Sequence, residues 1–284
     1  MPQSNREAFL KAKKYLKDEY SDSEIYLLLI DANKFKNYTE LVTKFDENLA
    51  NPEYFSRNLK KMKEGVPIQY IIGTATFHDF DVIVTGDTLI PRVETEGLVK
   101  LTYEKIIKNN LPHKYIADIC SGTGCIAIYM KKKFSDSIVY AIEKYVNTYE
   151  VGLENFKKNN VEVIALLGSR CEPLIKRRLK LDVLISNPPY VEKMDDIEEK
   201  VKKYEPFMNA IYLNDGTKFY DSYFRHHKEV MNKKFLMAFE INYDQEEKLT
   251  ELIKKYFDLS KIKFEFVKDI YGLTRYLFIE GNYD

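Results

Sequence analysis

Asn187-Pro188-Pro189-Tyr190 comes directly after the apolar run Leu181 to Ile185, and its residue types suit the grip of a planar NH2 group at a sheet edge. Neither proline donates a backbone N–H and both hold φ at about −65°, so the turn is stiff and its carbonyls can point outward as acceptors. The Asn187 side chain adds another carbonyl oxygen. Two such acceptors hold the two hydrogens of an amide or aryl amine, while a ring such as Tyr190 against its flat face orients the nitrogen lone pair for attack. Taken alone, the segment also fits a rigid turn with no ligand.

A second group precedes it. Asp118-Ile119-Cys120-Ser121-Gly122-Thr123-Gly124 follows a strand-like run and opens a helix near Cys125. Small residues at such a turn let a ligand approach the backbone, and a helix N-terminus offers N–H groups to a carboxylate or phosphate. Glu143 ends the next strand-like run, where an acidic side chain can accept from both hydroxyls of a ribose. Glu143 as a surface cap and the two glycines as a plain tight turn are the structural alternatives. A dinucleotide site fits less well: laid on Gly122-x-Gly124, its fingerprint has Ala127 at the sixth position, which some such motifs allow, but the NH2-gripping loop is unneeded for hydride transfer. A nucleotide-like ligand at the first two strands and an NH2-gripping loop after the fourth together describe an S-adenosylmethionine-dependent N-methyltransferase.

These groups need a frame. Ser21-Asp22-Ser23-Glu24 has the form of a capping box, and Asn51-Pro52 reads as an N-cap with proline at N1 of a helix that runs to about Lys63. Residues 1–64 therefore read as a helical N-terminal domain. Over 65–92 the period changes: Tyr70-Ile71-Ile72, Thr76-Phe77 and Asp81 to Thr85 read as short β runs, a hairpin linker. Over 93–284, strand-like runs alternate with amphipathic segments, which predicts an α/β fold with helices on both faces of a sheet. The expected strands are Tyr115 to Ile119, Ile138 to Ile142, Glu162 to Leu167, Leu181 to Ile185, Phe235 to Ile241, Phe264 to Lys268 and Arg275 to Ile279.

Composition narrows the function. The 284 residues carry 44 basic and 44 acidic side chains, a balance unlike the basic footprint of a dedicated nucleic-acid binder. Three cysteines without CxxC spacing argue against a disulfide framework and against a zinc site. His78, His113, His226 and His227 show no spacing suited to metal ligation or a proton shuttle, so no metal and no general base are expected. Neither a signal-peptide core nor a membrane-length apolar run is evident, and a reducing cytoplasm is the simplest setting.

The combined motifs resemble those of the release factor glutamine N5-methyltransferases, the PrmC/HemK family. Gly65 to Gly73 looks like that family's G-x-P-x-Q-Y-I-x-G linker, and Leu89-Ile90-Pro91-Arg92-Val93-Glu94-Thr95-Glu96 like its LIPRPETE signature. Tyr204-Glu205-Pro206, Asn214-Asp215-Gly216, Phe239-Glu240-Ile241 with Gln245, and Asp269 to Arg275 also fall where the family has counterparts. Three departures stand out: Cys120 in place of a glycine, Ser169 in place of an aspartate, and Val93 in place of a proline.

The resemblance implies a class I methyltransferase domain, Rossmann-like with a seven-stranded mixed sheet. It implies that S-adenosylmethionine lies with its methionine portion along Cys120 to Gly124, Asp118 included, and its ribose on Glu143. Arg170 falls near the adenine, and Asn187 binds the substrate amide while standing close to the cofactor. Pro188, Pro189 and Tyr190 complete the substrate loop, Phe77 is a weaker candidate for covering the cofactor, and the N-terminal helices help to bind the protein substrate. The implied reaction methylates the glutamine of the Gly-Gly-Gln motif in class I release factors, without a membrane or direct nucleic-acid partner. Glutamine methylation of a ribosomal protein, adenine-N6 methylation of nucleic acid, and a non-catalytic binding module are the rival expectations.

Overall fold

Ser4 and Ser21 begin helices by one device: the hydroxyl accepts from the N–H three residues on, and the glutamate there returns a bond to the serine N–H. The structure, a computed structural model, describes residues 3–17, 19–189, 203–204 and 216–283. Tyr190 and, of the family-like segments, Glu205, Pro206, Asn214 and Asp215 lie outside the described residues. The chain divides into two units, Met1–Thr74 and Ala75–Asp284.

The first unit holds α1 (Asn5–Leu16), α2 (Asp22–Asn33), α3 (Tyr38–Thr43), α4 (Pro52–Lys63) and α5 (Ile68–Ile72). Asn37 and Asn51 cap α3 and α4 through their side-chain oxygens, with Pro52 at the start of α4. Apolar residues at helical spacing, among them Ala8, Ala12 and Leu16 of α1 and Ile25, Leu28 and Leu29 of α2, form its core. One expectation is corrected here. Tyr70-Ile71-Ile72 is helical rather than extended, because Pro67 presets φ at −55° and its carbonyl accepts from Tyr70 and Ile71 N–H. Gly73, at φ 76°, ends that turn.

The second unit begins at Ala75, within a hairpin of β1 (Thr74–Phe77) and β2 (Phe80–Ile83), followed by a long helix, α6 (Val93–Lys108). Strands and helices then alternate: β3 (Tyr115–Ile119), α7 (Cys125–Lys133), β4 (Ile138–Glu143), α8 (Val146–Lys158), β5 (Ile164–Leu167), α9 (Glu172–Lys176) and β6 (Leu181–Ser186). The described chain resumes with α10 (Lys218–Arg225), α11 (His227–Val230), β7 (Met231–Glu240), α12 (Glu246–Tyr256), β8 (Ile262–Lys268) and β9 (Thr274–Asn282).

The seven strands lie in the order β5-β4-β3-β6-β7-β9-β8. Pairings from β5 across to β7 are parallel, whereas β9 runs antiparallel to both β7 and β8. All seven expected strands occur; β7 starts earlier than expected, at Met231, because Met231 pairs with Leu181 of β6 and β9 continues to Asn282, opposite Lys234. The polar letters Asn232-Lys233-Lys234 hide that extension, since sheet pairing rather than apolar content holds them in place. Tyr220, Tyr223 and Phe224 of α10 and Leu249 and Ile253 of α12 are fully buried in one core with Met237 and Phe239 of β7. Among the described residues no helix is long and apolar enough to cross a membrane.

Candidate active site

In this sheet order the chain moves outward from β3 to β4 and β5, then returns to add β6 on the other side of β3. A crevice opens at the carboxyl ends of strands where the order reverses, and ligands of open α/β sheets bind there. The register places the sequence-predicted residues at that edge. Ile119 of β3 is opposite both Ile142 of β4 and Ser186 of β6, so the residues one step beyond, Cys120, Glu143 and Asn187, emerge together. One cleft has all three on its wall, with Gly122, Arg170 and Pro189.

Glu143 is nearly buried and heavily bonded. Its Oε1 accepts from Lys144 N at 2.7 Å and Tyr145 N at 3.0 Å, and its Oε2 accepts from Gly122 N at 3.0 Å. A carboxylate has about four acceptor sites, so one remains, on Oε2. The Gly122 bond ties the Cys120–Gly124 turn to the end of β4, helped by Ser121 N donating to Ile142 O at 3.1 Å.

Within the turn, Cys120, Gly122 and Gly124 have φ of 64°, 55° and 78°. A left-handed backbone at Cys120 costs a residue with a Cβ about 1–2 kcal/mol, so the conformation expected of a glycine is kept without one. The thiol reaches Tyr223 Oη at 3.6 Å, which in turn stands 3.3 Å from Ser186 Oγ. At Gly124 a Cβ would come within 2.5 Å of the Phe156 ring, so only glycine lets α8 pack against this turn. Burial pushes the thiols of Cys120, Cys125 and Cys171 up to about 12, which removes them as thiolate nucleophiles near neutrality.

Asp118 lies beneath the turn rather than on the cleft wall. It is buried, with Oδ2 accepting from Ala127 N at 3.1 Å and Oδ1 without a hydrogen-bond partner among the described residues. Burial, reinforced by the charge of Glu143 and opposed by the Ala127 bond, raises its pKa to about 8. Ser121, Thr123 and Gly124 likewise build the turn without lining the cleft; Asn155 Nδ2 holds the Thr123 carbonyl at 3.0 Å.

Arg170 sits on the cleft wall with its guanidinium 4.8 Å from the centre of the Phe219 ring, so the two form a flat, polarisable side. Asn187 donates from Nδ2 to Thr95 Oγ1 at 3.0 Å. Pro188 is buried behind the loop, whereas Pro189 lines the cleft. Phe77, the weaker candidate, is fully buried against Phe80 and is not among the lining residues. Each histidine has a local partner; His227, for example, is buried with Nδ1 2.6 Å from Phe224 O.

Leu89, Lys144, Tyr145, Ser169 and Phe219 also line the cleft and escaped the sequence reading as ligand contacts. Adjacency to Glu143 could have flagged Lys144 and Tyr145. No local signal marks Phe219, which is brought in by the packing of α10.

Comparisons with known proteins bear on the family and the fold. A family model described as methyltransferase small domain matches residues 100–208. A release factor glutamine methyltransferase of Bacillus cereus is 33% identical over 249 residues, covering 86% of this chain and 87% of the relative. One of Bacillus subtilis is 32% identical over 275 residues, 95% of each chain. Among solved structures, a methyltransferase from Pyrococcus furiosus, 18% identical, covers 80% of this chain and 98% of its own with a TM-score of 0.50, a likeness of fold.

Proposed function

The chain belongs to the release factor glutamine methyltransferase family, and from that premise we propose that it methylates the side-chain amide nitrogen of the glutamine in the Gly-Gly-Gln motif of class I release factors, using S-adenosylmethionine. The observation that carries this reading is the shared cleft: a carboxylate with one open acceptor site, Glu143, and a residue with a side-chain carbonyl, Asn187, lie on the same wall.

The residues present fit the cofactor. Glu143 Oε2 would accept a ribose hydroxyl, Cys120 and Gly122, the residues of the turn that line the cleft, would hold the methionine portion, and the Arg170–Phe219 side would face the adenine. Bound there, S-adenosylmethionine supplies an electrophilic methyl carbon on a sulfonium.

An amide nitrogen is a poor nucleophile because its lone pair is delocalised into the carbonyl. Alignment and acceptance of its N–H bonds therefore carry the catalysis. Asn187 Oδ1 and the carbonyls of the proline turn accept those N–H bonds and hold the carboxamide plane edge-on to the reacting carbon. Tyr190, on the same loop, covers the flat face. No general base is assigned, since the added proton can leave to solvent after transfer. The helical unit contributes to holding the protein substrate, and the setting is the cytoplasm.

The test is direct. Incubated with labelled cofactor and, separately, a release factor, a ribosomal protein and DNA, the protein should label only the release factor, at its Gly-Gly-Gln glutamine by peptide mass spectrometry. Label on ribosomal protein or on adenine would replace the reading; cofactor binding without transfer to any of the three would favour a binding module.

A further inference from the structure

Thr95 and Glu240 stand 145 positions apart in the chain, yet Thr95 Oγ1 donates to Glu240 Oε2 at 2.8 Å. Asn187 Nδ2 donates to the same Thr95 oxygen at 3.0 Å. Both Thr95 and Glu240 are buried, so this chain runs behind the cleft rather than through it. The register explains the meeting: Ser186 is opposite Phe239, so Asn187 and Glu240 leave adjacent strands side by side.

The first turn of α6 is fixed from two further directions. Tyr276, opposite Glu240 on β9, donates from its hydroxyl to Glu94 O at 2.9 Å. On the other flank, His78 N donates to Glu96 Oε1 at 2.8 Å.

A primary amide has two nearly equal ends in shape, one a donor and the other an acceptor, and only its hydrogen-bond partners decide which way it faces. Thr95 has a single hydroxyl proton, committed to Glu240. What it offers Asn187 is a lone pair, which the NH2 end can meet and the carbonyl end cannot. Oδ1 is thereby turned to the opposite side of the amide. With the ends exchanged, Asn187 would present N–H to the N–H of the incoming carboxamide, donor against donor.

We infer that Thr95 and Glu240 are positioning residues that set the orientation of the Asn187 amide as an acceptor for the substrate carboxamide. The inference rests on the reading of Asn187 as the substrate-amide contact. It gives a role to Thr95 and Glu240, neither of which lines the cleft.

Thr95→Val keeps the shape and removes the hydroxyl. Its kcat on a release factor should fall about tenfold, equal to about 1.4 kcal/mol of lost transition-state stabilisation, with the Kd for S-adenosylmethionine within twofold of wild type. Thr95→Ser, which restores the hydroxyl, should return kcat to within about threefold. Glu240→Gln allows either order of the chain and should give a loss between these two. In an Asn187→Ala background, Thr95→Val should add less than twofold, because the side chain it orients is gone. Calorimetry with the release factor and cofactor-free protein should show weaker binding for Thr95→Val.

Should Thr95→Val fold poorly, as thermal denaturation would show, Glu240→Gln and Thr95→Ser carry the same comparison. Wild-type kcat in Glu240→Gln and Thr95→Val, or an undiminished Thr95→Val loss on top of Asn187→Ala, would overturn the inference alone. A wild-type protein inactive on release factors would overturn the reading of the site and this inference together.

Discussion

Replacing Glu143 by glutamine separates the two tasks that its carboxylate combines. Oε1 takes two backbone N–H bonds, from Lys144 and Tyr145, and Oε2 takes one, from Gly122. A glutamine can satisfy the first pair only by placing its carbonyl there, which puts its NH2 against the Gly122 N–H. That N–H then lacks an acceptor, a loss of about 1–3 kcal/mol. For a domain of this size the melting temperature should fall by about 2–4 °C for each kcal/mol. The open acceptor site disappears with the same change. Hydrogen bonds to a charged group are worth about 1.5–3 kcal/mol, so affinity for S-adenosylmethionine should weaken by about 10- to 150-fold. Calorimetric titration gives the Kd and a thermal melt of the cofactor-free protein gives the stability. A lower melting temperature with an unchanged Kd would confine Glu143 to shaping the turn. An unchanged Kd and melting temperature together would refute the reasoning outright.

Asp118 makes stability depend on pH. Its folded pKa of about 8 lies above the unfolded value of about 3.9, so between these values the unfolded chain binds fewer protons than the folded one. Stability should therefore be greatest below about pH 4 as far as this group is concerned, decline as pH rises towards 8, and level beyond. Denaturant titrations across that window should show a slope of up to about 1.4 kcal/mol per pH unit, absent in Asp118→Asn. Gly97 is in the second turn of α6, where a Cβ would lie 2.2 Å from the Tyr276 hydroxyl. Gly97→Ala should lose about 1–3 kcal/mol through overpacking, more than the roughly 1 kcal/mol gained in helix propensity. Denaturation should show partial recovery when Tyr276→Phe is added.

Much of the frame was legible because it is local. Capping residues at Ser21 and Asn51 name their own helix starts, and the alternation of apolar runs with amphipathic segments names the sheet. The chemistry-bearing residues were legible for a similar reason: Asn187 and Glu143 each follow directly on an apolar strand, which puts both at a sheet edge. What the sequence hid depends on pairings between distant strands. Nothing near Thr95 announces that it will stand between Asn187 and Glu240; that follows from β7 lying beside β6 and α6 reaching the same edge. The setting of Asp118 is equally non-local, since the Ala127 N–H reaches it and the charge of Glu143 acts on it only in the fold. The β-branched run Ile71-Ile72 misled in the opposite direction, because Pro67 and Gly73 bound a single helical turn too short to show a period.

The central claim is that Asn187 aligns a carboxamide nitrogen for attack, and the turnover of Asn187→Ala on a release factor measures it most directly. The account predicts a fall of roughly 100-fold or more in kcat, with an unaltered circular dichroism spectrum. Turnover near that of the wild type in a correctly folded variant would contradict it.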